Sequence, residues 1–104
     1  MINTRNEKLK PLLQKLLNLF SVADYNSVIY QCKRYIKSYP EYVVLYNLLG
    51  SSYMNVGSYN LAKETFIKAK KMDPTNISIM NNLANAEKYL FNYNEAEELF
   101  EKII

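Results

Sequence analysis

The chain has 104 residues, of which 49% are hydrophobic, and this is enough apolar material for one small domain with a core. Two glycines and three prolines argue against a loop-rich or all-β protein. The lack of histidine excludes His-based triads and most zinc sites, and a net charge of +3 does not by itself imply nucleic acid.

The single cysteine, Cys32, cannot form an internal disulfide, and its helical spacing places it among core residues. The N-terminus lacks the basic-then-apolar run of a signal peptide, and no apolar stretch approaches the length of a membrane span. We therefore expect a cytoplasmic protein that has no membrane contact and no cofactor.

The first predicted helix begins near residues 9–11. Thr4 and Glu7 have capping-box spacing, but Pro11 inside a helix would remove a backbone donor and clash with the preceding turn, so residues 1–8 are set apart as a polar segment. The helix has a wide apolar arc, formed by Leu9, Leu12, Leu13, Leu16, Leu17, Leu19 and Phe20. This arc is either buried against the next two helices or in part a contact surface for a partner or a second copy.

Five further helices follow, and their boundaries are set by helix-breaking and capping residues. Pro40 ends the second helix, Pro74 follows the end of the fourth, and Gly57 permits the left-handed turn after the third. Asn76 is a reasonable N-cap for the fifth helix. The predicted ranges are residues 26–39, 43–55, 60–72 and 77–90, and the sixth helix starts near residue 94.

A 34-residue period relates these helices to one another. The spacing connects Tyr25, Tyr59 and Tyr93, and also the pairs Pro40 and Pro74, Leu49 and Leu83, Ala62 and Ala96, and Phe66 and Phe100. A fixed period of this size is typical of stacked repeat proteins, in which each repeat is one supersecondary unit.

The middle copy carries a specific pattern, formed by Tyr46, Leu49, Gly50, Tyr53, Gly57, Tyr59, Ala62, Phe66, Ala69 and Pro74. This pattern resembles the tetratricopeptide repeat family. The third copy departs from it at Met80, Glu87 and Phe91, and the first copy matches weakly. The resemblance implies an all-α solenoid of three helix-turn-helix repeats over residues 9–42, 43–76 and 77–104, the last one incomplete.

In this family the first helix of each repeat lines a concave groove. The resemblance places ten residues there, namely Asn47, Ser51, Met54, Asn55, Ser78, Asn81, Asn82, Asn85, Lys88 and Tyr89. An asparagine amide is both donor and acceptor, so a row of them can bind the backbone of an extended peptide. The alternative is that asparagine is simply common in this chain. The expected function is a protein-interaction scaffold that holds an extended peptide or a partner helix, without catalysis by this chain.

Two variants of the family can be compared residue by residue. One binds the acidic C-terminal tails of heat-shock chaperones through Lys, Arg and Asn, but the matching positions here are Leu13, Leu17, Leu48, Ser78 and Asn82, of which only Asn82 fits. The other variant is the asparagine-lined array of protein O-linked N-acetylglucosamine transferases, to which the segment Met80–Asn85 is similar. Such arrays also precede glycosyltransferase or sulfotransferase domains in bacterial proteins. The resemblance therefore leaves open a substrate-presenting N-terminal arm of a larger enzyme.

The charge is unevenly distributed, with +5 over residues 1–40, +1 over 41–76 and −3 over 77–104. The acidic residues of the sixth helix, and the lysines on the second helix of the first two repeats, are interpreted as solvated surface, so no nucleic-acid partner is expected. The sequence also ends on Leu99, Phe100, Ile103 and Ile104, with nothing after them to cover an apolar face. These features favour either a longer natural array or self-association as a homodimer or end to end.

Overall fold

The structure is a computed structural model that describes residues 4–103 of the chain. It consists of helices, and the described range contains no strand. The helices are α1 (Thr4–Ser21), α2 (Tyr25–Ser38), α3 (Val43–Asn55), α4 (Tyr59–Met72), α5 (Ile77–Tyr89) and α6 (Tyr93–Ile103). Each helix packs mainly on the helix before it and the helix after it, so the chain forms a solenoid of three helix pairs that measures 43 × 32 × 21 Å. The predicted all-α solenoid is confirmed.

The first helix begins earlier than predicted. α1 starts at Thr4 and continues through Pro11, so the predicted start at residues 9–11 is wrong. A tertiary contact accompanies the early start, because Arg5 donates to both carboxylate oxygens of Glu41 at 2.7 and 3.0 Å. The same hydrogen bond lowers the pKa of the Glu41 carboxyl. This contact ties the first turn of α1 to the connection between α2 and α3.

The three turns between α1 and α2, α3 and α4, and α5 and α6 share one backbone geometry. Ala23, Gly57 and Phe91 lie 34 residues apart and adopt left-handed φ values of 61°, 80° and 65°. In each turn the next residue donates its N–H to a carbonyl five positions back, at 2.8 to 2.9 Å, which is a Schellman-type helix end. The period of the sequence thus includes a left-handed position, which glycine fills in only one of the three copies.

We expect Phe91→Gly to stabilise the chain by about 1 kcal/mol. A non-glycine residue in the left-handed region costs roughly 1–2 kcal/mol, and the Phe91 side chain is 76% exposed, so little packing is lost. The matched control is Gly57→Ala, which should destabilise by a similar amount because a Cβ there meets no atom within 4 Å and only the backbone strain changes. Urea denaturation of both variants measures the difference, and a destabilised Phe91→Gly variant would mean that the phenyl ring contributes packing.

The core runs continuously between the helices. One buried cluster joins α1, α2 and α3 and contains Leu16, Val28, Cys32 and Leu45, so Cys32 is a core residue as predicted. A second cluster joins α4, α5 and α6 around Phe66, Leu83 and Leu99. The two helices of the middle repeat cross closely, because Gly50 of α3 lies against the ring of Phe66. These clusters fix the relative positions of the repeats and therefore the shape of the surfaces between them.

The apolar faces of the two end helices are only partly covered. In α1, Leu9 and Leu16 are buried whereas Leu17 is 50% exposed. In α6, Leu99 is buried against α5, so the prediction that this side chain is uncovered is wrong. Phe100 and Ile103 are half-buried. Ile104 lies outside the described residues.

Candidate functional site

A groove of about 400 Å³ lies where α3 and α5 contact each other, and α1 and α4 each contribute one lining residue. Seven of the ten predicted groove residues line it, namely Ser51, Met54, Asn55, Asn82, Asn85, Lys88 and Tyr89, together with Phe20 and Phe66. Ser78 and Asn81 are exposed and do not line this groove. The first helices of successive repeats thus bring a set of amide, hydroxyl and aromatic groups onto one surface.

The floor of the groove is held by a hydrogen bond between two repeats. Asn82 Nδ2 donates to Asn47 Oδ1 at 2.9 Å, and both side chains are half-buried. Asn47 is therefore joined to the groove without lining it directly. The bond leaves one Asn82 oxygen and one Asn47 nitrogen for other partners, since each amide can donate and accept. Asn55 has a more local role, because its Nδ2 donates to the Ser51 carbonyl at 2.8 Å on the same helix.

The aromatic residues at the edges of the groove are held in place by other rings. Tyr89 is stacked on Tyr59 with centroids 4.8 Å apart and planes 20° from parallel. Phe20 meets Tyr25 edge to face at 5.2 Å. Both contacts are within the range of favourable aromatic pairs, so the rings present fixed apolar surfaces to the groove. The resemblance placed Tyr89 in the groove, and the sequence analysis named Phe20 in the apolar arc of the first helix.

The electrostatics of the groove are simple. Lys88 is the one charged residue among those that line it, and no carboxylate is present. The groove is therefore weakly positive and otherwise offers neutral donors and acceptors. A neutral or mildly acidic backbone meets no like charge there, whereas a strongly basic ligand would find no partner for its charges.

Residues 4–103 contain no group of three or more His, Cys, Asp or Glu side chains placed to hold a metal ion. Burial raises the pKa of the Cys32 thiol to about 12, so it stays protonated at neutral pH and is a poor nucleophile. None of the described helices is both long enough and apolar enough to cross a membrane.

One buried charged residue was missed by sequence reasoning. Glu87 occupies a position where the repeat pattern has an aromatic residue, and it is only 5% exposed. Its carboxylate accepts from Lys63 Nζ at 2.9 Å and from Asn92 Nδ2 at 3.3 Å. The sequence shows this departure from the pattern. It does not show the ion-pair partner of Glu87, because Lys63 lies 24 positions earlier on another helix.

Comparison with known proteins identifies the family. Two family models described as tetratricopeptide repeat match residues 43–76 and 77–104, which together make up more than half of the chain. The chain belongs to the tetratricopeptide repeat family.

Solved structures share the fold at low sequence identity. The first TPR domain of Spaghetti (RPAP3), bound to the HSP90 peptide SRMEEVD, has a TM-score of 0.88 and 18% identity over 93% of this chain and 77% of that one. MamA 41-end from Desulfovibrio magneticus RS-1 has a TM-score of 0.83 and 22% identity over 88% of this chain and 51% of that one.

Among curated proteins, the uncharacterized protein ycf37 of Pyropia yezoensis is 32% identical over 60 residues. The match covers 58% of this chain and 34% of the relative, so the chain spans about a third of the length of that protein.

Proposed function

We propose that this chain is a protein-interaction scaffold that holds an extended peptide in the groove between α3 and α5. The observation that carries the proposal is the convergence of Asn82, Asn85 and Tyr89 from α5 with Ser51 from α3 on one open surface. An extended peptide exposes N–H and C=O groups along its length, and side-chain amides can satisfy both kinds. The structural neighbour bound to an HSP90 peptide supports the class of ligand.

The side chains that line the groove limit the kinds of peptide that could bind there. The positions at which chaperone-tail binders carry basic groups hold leucine or serine here, as at Leu13, Leu17 and Ser78, and only Lys88 supplies a positive charge to the lining. A ligand that depends on several carboxylates would lack partners for them. The ligand proposed is therefore an extended peptide that is recognised mainly through its backbone, with at most one acidic contact at Lys88.

The test uses random peptides of about a dozen residues displayed on phage, which are selected on the purified chain and then measured as free peptides by fluorescence anisotropy. We expect the double substitution Asn82→Ala and Asn85→Ala to weaken binding roughly 30-fold, because each lost amide contact contributes about 1 kcal/mol. The matched control is Asn60→Ala with Asn94→Ala, two exposed asparagines outside the groove, which should leave binding unchanged.

Circular dichroism separates loss of binding from loss of structure, because the Asn82 substitution also removes the bond to Asn47. A variant with only Asn85→Ala keeps that bond and should weaken binding about fivefold. Peptides that bind the groove variants and the wild type equally would contradict the groove assignment.

A further inference from the structure

A second open surface lies between α2 and α4, on the side of α3 away from the peptide groove. α3 forms its floor through Tyr46, Leu49 and Tyr53. The walls are formed by Lys33, Ile36 and Lys37 of α2 and by Leu61, Glu64, Thr65 and Lys68 of α4. At 100° per residue the floor residues point roughly opposite to Ser51 and Asn55, so this α2–α4 cleft and the peptide groove use different faces of α3.

The dimensions of the α2–α4 cleft suit the binding of a helix. Its floor residues follow the spacing i, i+3 and i+7, so they form one stripe along about two turns, or roughly 10 Å. The α4 wall repeats this spacing with Leu61, Glu64 and Lys68. The volume is about 520 Å³, larger than that of the peptide groove. A slot lined by two helices, with a third helix beneath, suits one face of another helix.

Part of the apolar surface of this cleft is available to a ligand, although Tyr46 and Leu49 in the floor are each only 7% exposed. Leu61 is 48% exposed, and its neighbours in the wall and floor, Ile36 and Tyr53, are only half-buried. Burial raises the pKa of the Tyr53 hydroxyl, which shows that the floor is already partly removed from water. A partner that covers this strip would therefore gain by completing the burial of a preformed apolar surface.

The rim of the cleft is positively charged. Lys33 and Lys37 lie one turn apart on α2 and face Lys68 across the slot, while Glu64 is the one carboxylate in the lining. Within residues 4–103 none of these three lysines forms an ion pair, and the Lys68 ammonium lies 6.0 Å from the centre of the Tyr46 ring. Like charges at i and i+4 destabilise a helix slightly, so this arrangement does not serve the stability of α2.

We propose that the α2–α4 cleft docks an acidic amphipathic helix of a partner protein. The apolar stripe of that helix would lie on Leu61 and Ile36, and carboxylates on its two flanks would pair with Lys33, Lys37 and Lys68. A polyanion without apolar groups could pair with the lysines but would leave Leu61 uncovered. The proposal is independent of the peptide groove, because the two surfaces share no lining residue.

Within residues 4–103, a second copy of this chain offers no acidic helix with an exposed apolar stripe. Its acidic helix, α6, carries Glu95, Glu97, Glu98 and Glu101 on the exposed side. The apolar residue Leu99 is already buried against α5 and the ring of Phe100 is half-buried. The outer face that α6 offers is therefore charged but not amphipathic, and it cannot fill an apolar floor.

The test uses a synthetic helix-forming peptide of about 14 residues, or roughly four turns, with leucines at i, i+3, i+4 and i+7 and glutamates on both flanks. Titration of this peptide into the isotopically labelled chain should shift the methyl resonances of Ile36, Leu49 and Leu61. The side-chain amide resonances of Asn82 and Asn85 should stay unchanged. A peptide with the same composition but a scrambled order, which has no apolar stripe, should not produce these shifts.

Charge-reversal substitutions then test whether the lysines at the rim contribute to binding. Lys33→Glu, Lys37→Glu and Lys68→Glu together should weaken binding of the peptide about tenfold or more, because three ion pairs become repulsive. The control is Lys15→Glu, Lys71→Glu and Lys102→Glu, which changes the net charge equally at exposed sites outside the lining and should retain affinity. No binding, shifts in the peptide groove, equal binding of the scrambled peptide, or equal loss in the control would overturn the proposal.

Discussion

Gly50→Ala is expected to destabilise the chain by about 2 kcal/mol, although alanine is the better helix former. A Cβ at residue 50 would overlap the ring of Phe66, lying 2.7 Å from both Cδ1 and Cζ and closer still to Cε1. Phe66 is fully buried and belongs to the cluster that contains Leu83 and Leu99, so a shift of its ring would disturb that packing. Overpacking costs typically 1–3 kcal/mol, and an overlap with three ring atoms belongs at the upper end of that range. About 2 kcal/mol therefore remains after the gain of up to about 1 kcal/mol in helix propensity.

A double-mutant cycle identifies the cause. Phe66→Leu alone should be destabilising, but Gly50→Ala combined with Phe66→Leu should cost less than the sum of the two, because the smaller side chain makes room for the Cβ. Denaturation of the four proteins in urea gives the coupling energy, and additive effects would show that the clash is not the source of the loss.

The third repeat offers a natural contrast. Its equivalents of Gly50 and Phe66 are Ala84 and Phe100, and the ring of Phe100 is only half-buried, so a Cβ is already accommodated there.

Lys63→Met is expected to destabilise the chain by about 2 kcal/mol. The carboxylate of Glu87 is almost fully buried, and its bond to Lys63 Nζ is the shorter of its two contacts. Removing the lysine leaves a buried charge with only the 3.3 Å contact to Asn92. Breaking one side of a buried pair costs several kcal/mol in general, and the partial exposure of Lys63 reduces the effect here.

Replacing the other partner of the ion pair, Glu87, should destabilise the chain less. In Glu87→Leu the Lys63 side chain, which is one-third exposed, can turn its ammonium group toward water. The double variant Lys63→Met with Glu87→Leu should recover most of the stability, because an apolar pair can replace a buried ion pair at little cost. Thermal unfolding of the three variants checks this order. A Lys63→Met variant as stable as the wild type would show that solvent reaches the carboxylate.

The architecture was predictable because the same pattern is repeated. The 34-residue spacing gave helices and turns that the structure reproduces closely from α2 to α6, and Asn76 caps α5 as expected by accepting from Ile79 N at 3.2 Å. The start of α1 was ambiguous in the sequence, because the capping-box spacing of Thr4 and Glu7 favoured an early start whereas Pro11 opposed it. The contact of Arg5 with Glu41, which accompanies the early start, joins residues 36 positions apart and has no local signal.

The candidate site was predictable in part for a similar reason. The resemblance assigned groove residues by position in the repeat, and most of them line one surface because α3 and α5 are equivalent helices in adjacent repeats. Ser78 and Asn81 do not line it. The α2–α4 cleft was not predicted, because its basic residues were interpreted as a solubilising surface. This cleft depends on how α2 and α4 are placed relative to each other, and a periodic sequence pattern does not specify that arrangement.

The packing of each helix on its neighbours in the chain has a consequence for how the molecule folds. Nearly all contacts between helices join elements adjacent in sequence, and the direct contact of α3 with α5 spans only one intervening helix. Such a topology has a low contact order, and chains of this kind fold in microseconds to milliseconds because little loop entropy is lost before contacts form. The ends should also open before the middle, so amide hydrogen exchange should be fastest in α1 and α6 and slowest in α3 and α4.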